Sequence, residues 1–165
     1  MVASAILPVA IYKNKLHFLF GKENPNEDSA PGWSDFGGRI EKGETPYQSA
    51  LREGSEELSG FLGNEKQLKS LIRKNGGTMK LKHNNYYVYL FYIDYDEGLP
   101  LHFNNSHYYM WDKIDKKLPF FDKIEIDWFT VEEMNQNRDI FRPFYREIVD
   151  LIIKNKREIH KFINA

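Results

Sequence analysis

The stretch FGGRIEKGETPYQSALREGSEELSG, residues 36–60, places two glycines ahead of a run of glutamates gathered around one arginine. Thr45 can cap a helix here, Pro46 suits its first position, and Gln48 stands where a capping box wants an amide or carboxylate. The pattern predicts a helix from Thr45 to about Ser59. With a rotation of about 100° per residue, Glu53, Glu56 and Glu57 fall within one arc. Tyr47, Ala50, Leu51, Gly54 and Leu58 lie opposite and face the core. Carboxylates three and four residues apart repel, by roughly a few tenths of a kcal/mol per pair, so something must neutralise them.

A divalent cation does so naturally. Mg²⁺ takes oxygen ligands and is often held by carboxylates together with substrate phosphates. Arg52 adjoins the acids and can orient them, and Glu44, just before the helix, is placed to receive it. The Gly37-Gly38 turn allows a backbone carbonyl to approach the same point.

These positions follow G-x5-E-x7-R-E-x2-E-E, carried by Gly38, Glu44, Arg52, Glu53, Glu56 and Glu57. The pattern resembles the Nudix box of the Nudix hydrolase superfamily. Further along, IEIDWFTVEEM resembles the strand and short helix found late in such domains, and a closing helix is expected too. The resemblance implies an α/β fold, a Nudix-type α/β/α sandwich with a mixed sheet. It also implies Mg²⁺- or Mn²⁺-dependent hydrolysis of a phosphoanhydride bond in a nucleoside diphosphate linked to another group. Carried over residue by residue, Glu56 and Glu57 are metal ligands and Glu53 is a ligand or the base. Arg52 and Glu44 hold the constellation, and the Gly37 carbonyl is an additional ligand candidate. The resemblance departs at Gly54, where the box has an apolar residue, at Ser59, where it has glycine, and at Phe36 in place of proline.

Further acids and aromatics complete the candidate list. Glu125 and Asp127 alternate on one face of a strand, opposite Ile124, Ile126 and Trp128, and are outside candidates for the metal. Trp33, Phe36, Gly38 and Arg39, around the glycine turn, are candidates for contact with substrate. The five histidines show no metal spacing.

Around this centre the chain reads as one domain over residues 1–165. With 41% apolar residues it is globular, and with no cysteine it has no disulfide or thiolate site, which suits a cytoplasmic setting. A net charge of −1 argues against holding nucleic acid by a basic surface, though not against a nucleotide substrate. No segment reaches the length of a membrane span. SAILPVAIY and KLHFLFGK form a hairpin about Lys13-Asn14-Lys15, EKQLKSLIRKN a helix ended by Gly76-Gly77, and NNYYVYLFYIDY a central strand. LPLHFNNSHYYMWDKI reads as a loop between aromatic flanks, and FRPFYREIVDLIIKNKREIHKFI as a closing helix. The functional expectation is a pyrophosphohydrolase of small nucleotide-type diphosphates, its oligomeric state open, a homodimer included. The alternatives are a cap-removing Nudix enzyme acting on RNA and a non-catalytic Nudix-fold binding domain.

Overall fold

The sheet begins at a two-residue turn. Lys13 and Asn14 take left-handed backbone, φ 51° and 63°, which matches the strand twist of a tight hairpin. They join β1 (Ala3–Tyr12) to β2 (Lys15–Glu23). The computed structural model describes residues 2–27 and 29–164. Along one edge of β1, from Ala3 to Val9, runs β6 (Tyr86–Tyr92) in parallel. The opposite edge is shared: β4 (Phe36–Arg39) pairs with Ala3–Ile6, and β2 pairs with Val9–Tyr12. This division sets the Gly37-Gly38 pair directly against Ala5 and Ser4. β5 (Met79–His83) lies beyond β6, while β3 (Trp33–Ser34) and β7 (Lys123–Thr130) both pair with β2. Among the described residues the sheet has seven strands and is mixed, as expected.

Strand alternation divides the apolar residues between two layers. Ile6, Ala10, Leu19 and Phe91 face α1 (Pro46–Glu57), α2 (Glu65–Lys74) and α3 (Gly98–Met110). Leu7, Val9, Phe18 and Phe20 face the other way, against α4 (Val131–Gln136), α5 (Arg146–Lys154) and α6 (Lys156–Ile163). The result is the α/β/α sandwich.

Two segments differ from expectation. The Asn-Asn-Ser stretch lies inside α3 and is not a loop. Asparagine disfavours helices because its amide competes for backbone groups. Here Asn104 spends its amide on β7, donating to the Ile126 carbonyl at 3.0 Å and accepting from its N–H at 2.8 Å. The closing helix is broken in two at Asn155, whose side chain donates to the Leu151 carbonyl at 2.8 Å and caps the last turn of α5. Phe144, within the stretch expected as closing helix, sits in a 3-10 turn ahead of α5 and is exposed.

Candidate active site

Helix α1 starts as its sequence dictates. Thr45 accepts from the Gln48 N–H at 3.1 Å, and Gln48 accepts from the Thr45 N–H at 2.9 Å, closing the capping box. The helix lies very close to the sheet. A Cβ on Gly54 would come within 2.5 Å of Ile6 Cδ1, so only glycine fits that position unstrained. A Cβ on Gly37 would meet the Ser4 carbonyl at 2.2 Å, and one on Gly38 would meet the Glu53 carboxyl carbon at 2.7 Å. The two glycines thus let β4 slide between β1 and the acids of α1.

Arg52 braces this arrangement. Its Nε donates to Glu44 Oε2 at 2.7 Å, its Nη2 to Glu44 Oε1 at 3.0 Å, and its Nη1 to Glu53 Oε1 at 2.9 Å. A guanidinium fork suits two-point contact with a carboxylate. These bonds hold the Glu44 carboxyl down at about 2. Glu53 behaves differently: burial raises it, and the Arg52 contact only partly offsets that.

The three glutamates of the arc do not share one environment. Glu56 is exposed, Glu53 is half-buried, and Glu57 turns inward and is buried. Glu57 accepts the Gly37 N–H at 2.8 Å. Gly37 thus reaches the acids of α1 through its own backbone. Burial pushes Glu57 up to about 8, with Lys123 opposing and Glu23 and Asp122 adding to the rise.

An acid outside the box that stands near its glutamates is Asp122, one residue before β7. Asp122 is pushed up to about 7 by burial and then by Glu27, Glu56, Glu23 and Glu53. Asp127 accepts from the N–H of Trp128 and has Glu133 as its charged neighbour. Glu125 lines a cavity beside α3. Behind the acids lies Lys123, 1% exposed, donating to Ser34 Oγ at 2.8 Å and Glu23 Oε2 at 3.2 Å. Arg142 also reaches Glu23, at 3.5 Å. Asp122, Lys123 and Glu23 escape a reading of the sequence; the one cue is an acid and a lysine side by side ahead of an alternating strand.

The residues expected at the substrate scatter. Phe36 is 0% exposed and belongs to the core under α1, so its ring has no face to offer. Its size, which replaces the proline of the box, is absorbed there. Trp33 packs edge to face on Phe129 at 5.2 Å, and its carbonyl accepts from the Arg142 N–H. Gly38 does sit against Glu53. Arg39 has an exposed side chain, and its carbonyl accepts from Ser49 and Arg52.

Among the described residues, no three acidic or histidine side chains already converge into a metal-holding group. The donor chemistry nevertheless fits a hard divalent ion. All the donors are carboxylate oxygens, and the negative charge of neighbouring acids adds to the raised proton affinity of Glu53, Glu57 and Asp122.

A family model described as NUDIX domain matches residues 3–152. No curated protein matches the sequence. Solved structures do. An Ap4A hydrolase from C. elegans, as a binary complex, is 16% identical, with 95% of this chain and 97% of that one covered at a TM-score of 0.57. A Nudix hydrolase from M. smegmatis, RenU, is 13% identical over 99% of this chain and 88% of that one, at 0.54. A bifunctional NMN adenylyltransferase/ADP ribose pyrophosphatase from Francisella tularensis, complexed with AMP and a manganese ion, is 16% identical. It is covered over 42% of its own length and 94% of this chain, at 0.55. These likenesses are likenesses of fold.

Proposed function

This chain belongs to the Nudix hydrolase family, and from that premise we propose that it is a divalent-metal-dependent pyrophosphohydrolase of nucleoside diphosphates linked to another group. One observation carries the reading. Glu53, Glu56, Glu57 and Asp122 gather beside the Gly37-Gly38 strand with less positive charge than negative around them. Such a cluster is suited to Mg²⁺ or Mn²⁺ held by Glu56, Glu57 and Asp122, with Glu53 beside them. Once bound, the ion supplies charge against the phosphate oxygens and acidifies water at the site.

The chain's own groups do the rest. Glu53, half-buried with its proton affinity raised, is suited to take a proton from the attacking water. Arg52 fixes Glu53 through Nη1 and is itself anchored on Glu44, which keeps the base from turning away. The Gly37 N–H holds one oxygen of Glu57 and leaves the other for the ion. Carboxylates alone would repel a diphosphate, so turnover should vanish without divalent cation.

Structural neighbours named for Ap4A and for ADP-ribose make those two compounds the first to try. The experiment is a phosphate- and nucleotide-release screen over Ap4A, ADP-ribose, nucleotide sugars, nucleoside triphosphates and capped RNA, with Mg²⁺, Mn²⁺ or EDTA. Metal-dependent release from one or more small diphosphates is expected. Release from capped RNA alone, or from nothing, would overturn the proposal.

A further inference from the structure

With Phe36 in the core and Trp33 half-buried against Phe129 on the other layer, a nucleoside attached to the diphosphate needs another surface to rest on. Helix α3 provides one on the same face of the sheet as α1. Between α3 and the first residues of β7 lies a cavity of about 530 Å³, lined among others by Asn105, Tyr108, Trp111 and Ile124. That volume falls within the range of small-molecule sites, which pair apolar and aromatic walls with a few polar groups.

The cavity is joined to the acids by short, stiff connections. Its lining residue His107 has Nε2 2.8 Å from the Phe120 carbonyl and 3.0 Å from Ser59 Oγ. Ser59 also donates to the Phe120 carbonyl, at 3.0 Å. Ser59 follows Glu57 by two residues, and Phe120 precedes Asp122 by two. Ser59 takes left-handed backbone (φ 51°), a conformation costly for serine, and its hydroxyl holds the end of α1 against α3 there. The imidazole of His107 is stacked between Phe103 at 3.7 Å and Phe120 at 4.1 Å, which fixes this wall. On the other wall Ile124 lies two residues along the chain from Asp122, or roughly 7 Å of extended strand. A ligand with phosphates at Asp122 can therefore reach the cavity without crossing the sheet.

We propose that this cavity is the base-binding subsite of the enzyme, and that its ligand is the nucleobase of a nucleotide-type substrate stacked on Trp111 and Tyr108. The inference rests on the hydrolase reading for its choice of ligand. Trp111 is held edge to face by Phe121 at 5.2 Å, so its indole is a fixed platform. Tyr108 is 87% exposed, and its ring is open to a partner. Flat heteroaromatic rings stack on such side chains whatever their sequence. The exposed amide of Asn105 supplies both a donor and an acceptor for a ring edge.

Equilibrium dialysis of the full chain with labelled AMP, GMP, CMP and UMP in Mg²⁺ tests this, alongside Trp111→Ala, Trp111→Phe and Tyr108→Ala. At least one nucleotide is expected to bind. Its affinity should fall about tenfold in Trp111→Ala, fall in Tyr108→Ala, and largely recover in Trp111→Phe. Tyr108 is exposed enough that its variant folds even if Trp111→Ala does not. In turnover, KM for ADP-ribose should rise in the alanine variants at steady kcat, while KM for the base-free ribose 5-diphosphate stays put. Binding unchanged in both alanine variants, no binding to the wild type, an equal rise for both substrates, or a dimer in sedimentation that covers α3 would each overturn the subsite. Wild type that binds a nucleotide through Trp111 yet hydrolyses no diphosphate would support the subsite and sink the hydrolase reading instead.

Discussion

Around Arg52 the acids are answered from within the chain. Glu44 receives two of its N–H groups and is held at about 2, and Glu53 receives a third. One turn further along α1 the same residue type meets the opposite treatment. Glu57 has one backbone N–H and a partly committed lysine for company and is pushed up to about 8, while Asp122 opposite reaches about 7. A carboxylate that the fold neutralises serves shape. One that the fold buries and leaves short of positive charge has capacity for a cation from outside.

Breaking the short-handed side should have the largest effect. Glu57→Gln keeps an oxygen for the Gly37 N–H and removes the charge. Turnover should be abolished, with the melting temperature of the metal-free protein unchanged or higher at pH 8. Wild-type-like kcat in that variant would remove Glu57 from the metal site. Breaking the braced side should cost less. Arg52→Met leaves the ligands in place but loosens Glu53 and Glu44, and kcat/KM is expected to fall about 10–100-fold. A loss as complete as that of Glu57→Gln would mean that Arg52 touches substrate directly.

Protons sharpen the same contrast. The folded-state values of Glu57, about 8, and Asp122, about 7, lie above their ordinary values of 4.5 and 3.8. Between those limits the native protein binds protons that the unfolded chain has released, so stability falls as pH rises through that window. It is fully present below about pH 4 as far as these two groups are concerned. Melting curves in EDTA should therefore drop between about pH 5 and 8, and Mg²⁺ should restore more at pH 8 than at pH 6. A metal effect independent of pH would place the ion elsewhere. The smallest expected effect is local. Gly54→Leu should cost about 1–3 kcal/mol in chemical denaturation, because its side chain must displace Ile6, while the folded fraction stays active. Undiminished stability would show that α1 can lift from β1 freely.

The charged positions of the box are legible in the sequence because helical period alone brings Glu53, Glu56 and Arg52 together near Glu44. The inward turn of Glu57 is not, since it lies at the border between the polar arc and the core, and a one-dimensional period does not say which side wins. Gly54 becomes intelligible only with Ile6 opposite it. Asp122 and Lys123 enter the site through pairing of β7 with β2, a contact between distant parts of the chain. Helix α3 is hidden for another reason: its asparagine is a poor helix former whose amide is satisfied by a neighbouring strand. The first hairpin and the central strand are easier to read, because alternation and turn residues agree with one another there.

Lys123 has a consequence for the life history of the protein. Small domains built around a metal often stay unfolded until the ion arrives. Here a buried ammonium already sits beside Glu23 and softens the repulsion on Glu57. On the proposed metal-dependent reading, folding and ion loading should then be separable: protein kept in EDTA should melt cooperatively yet turn over no substrate, and added Mg²⁺ should restore turnover without a refolding step.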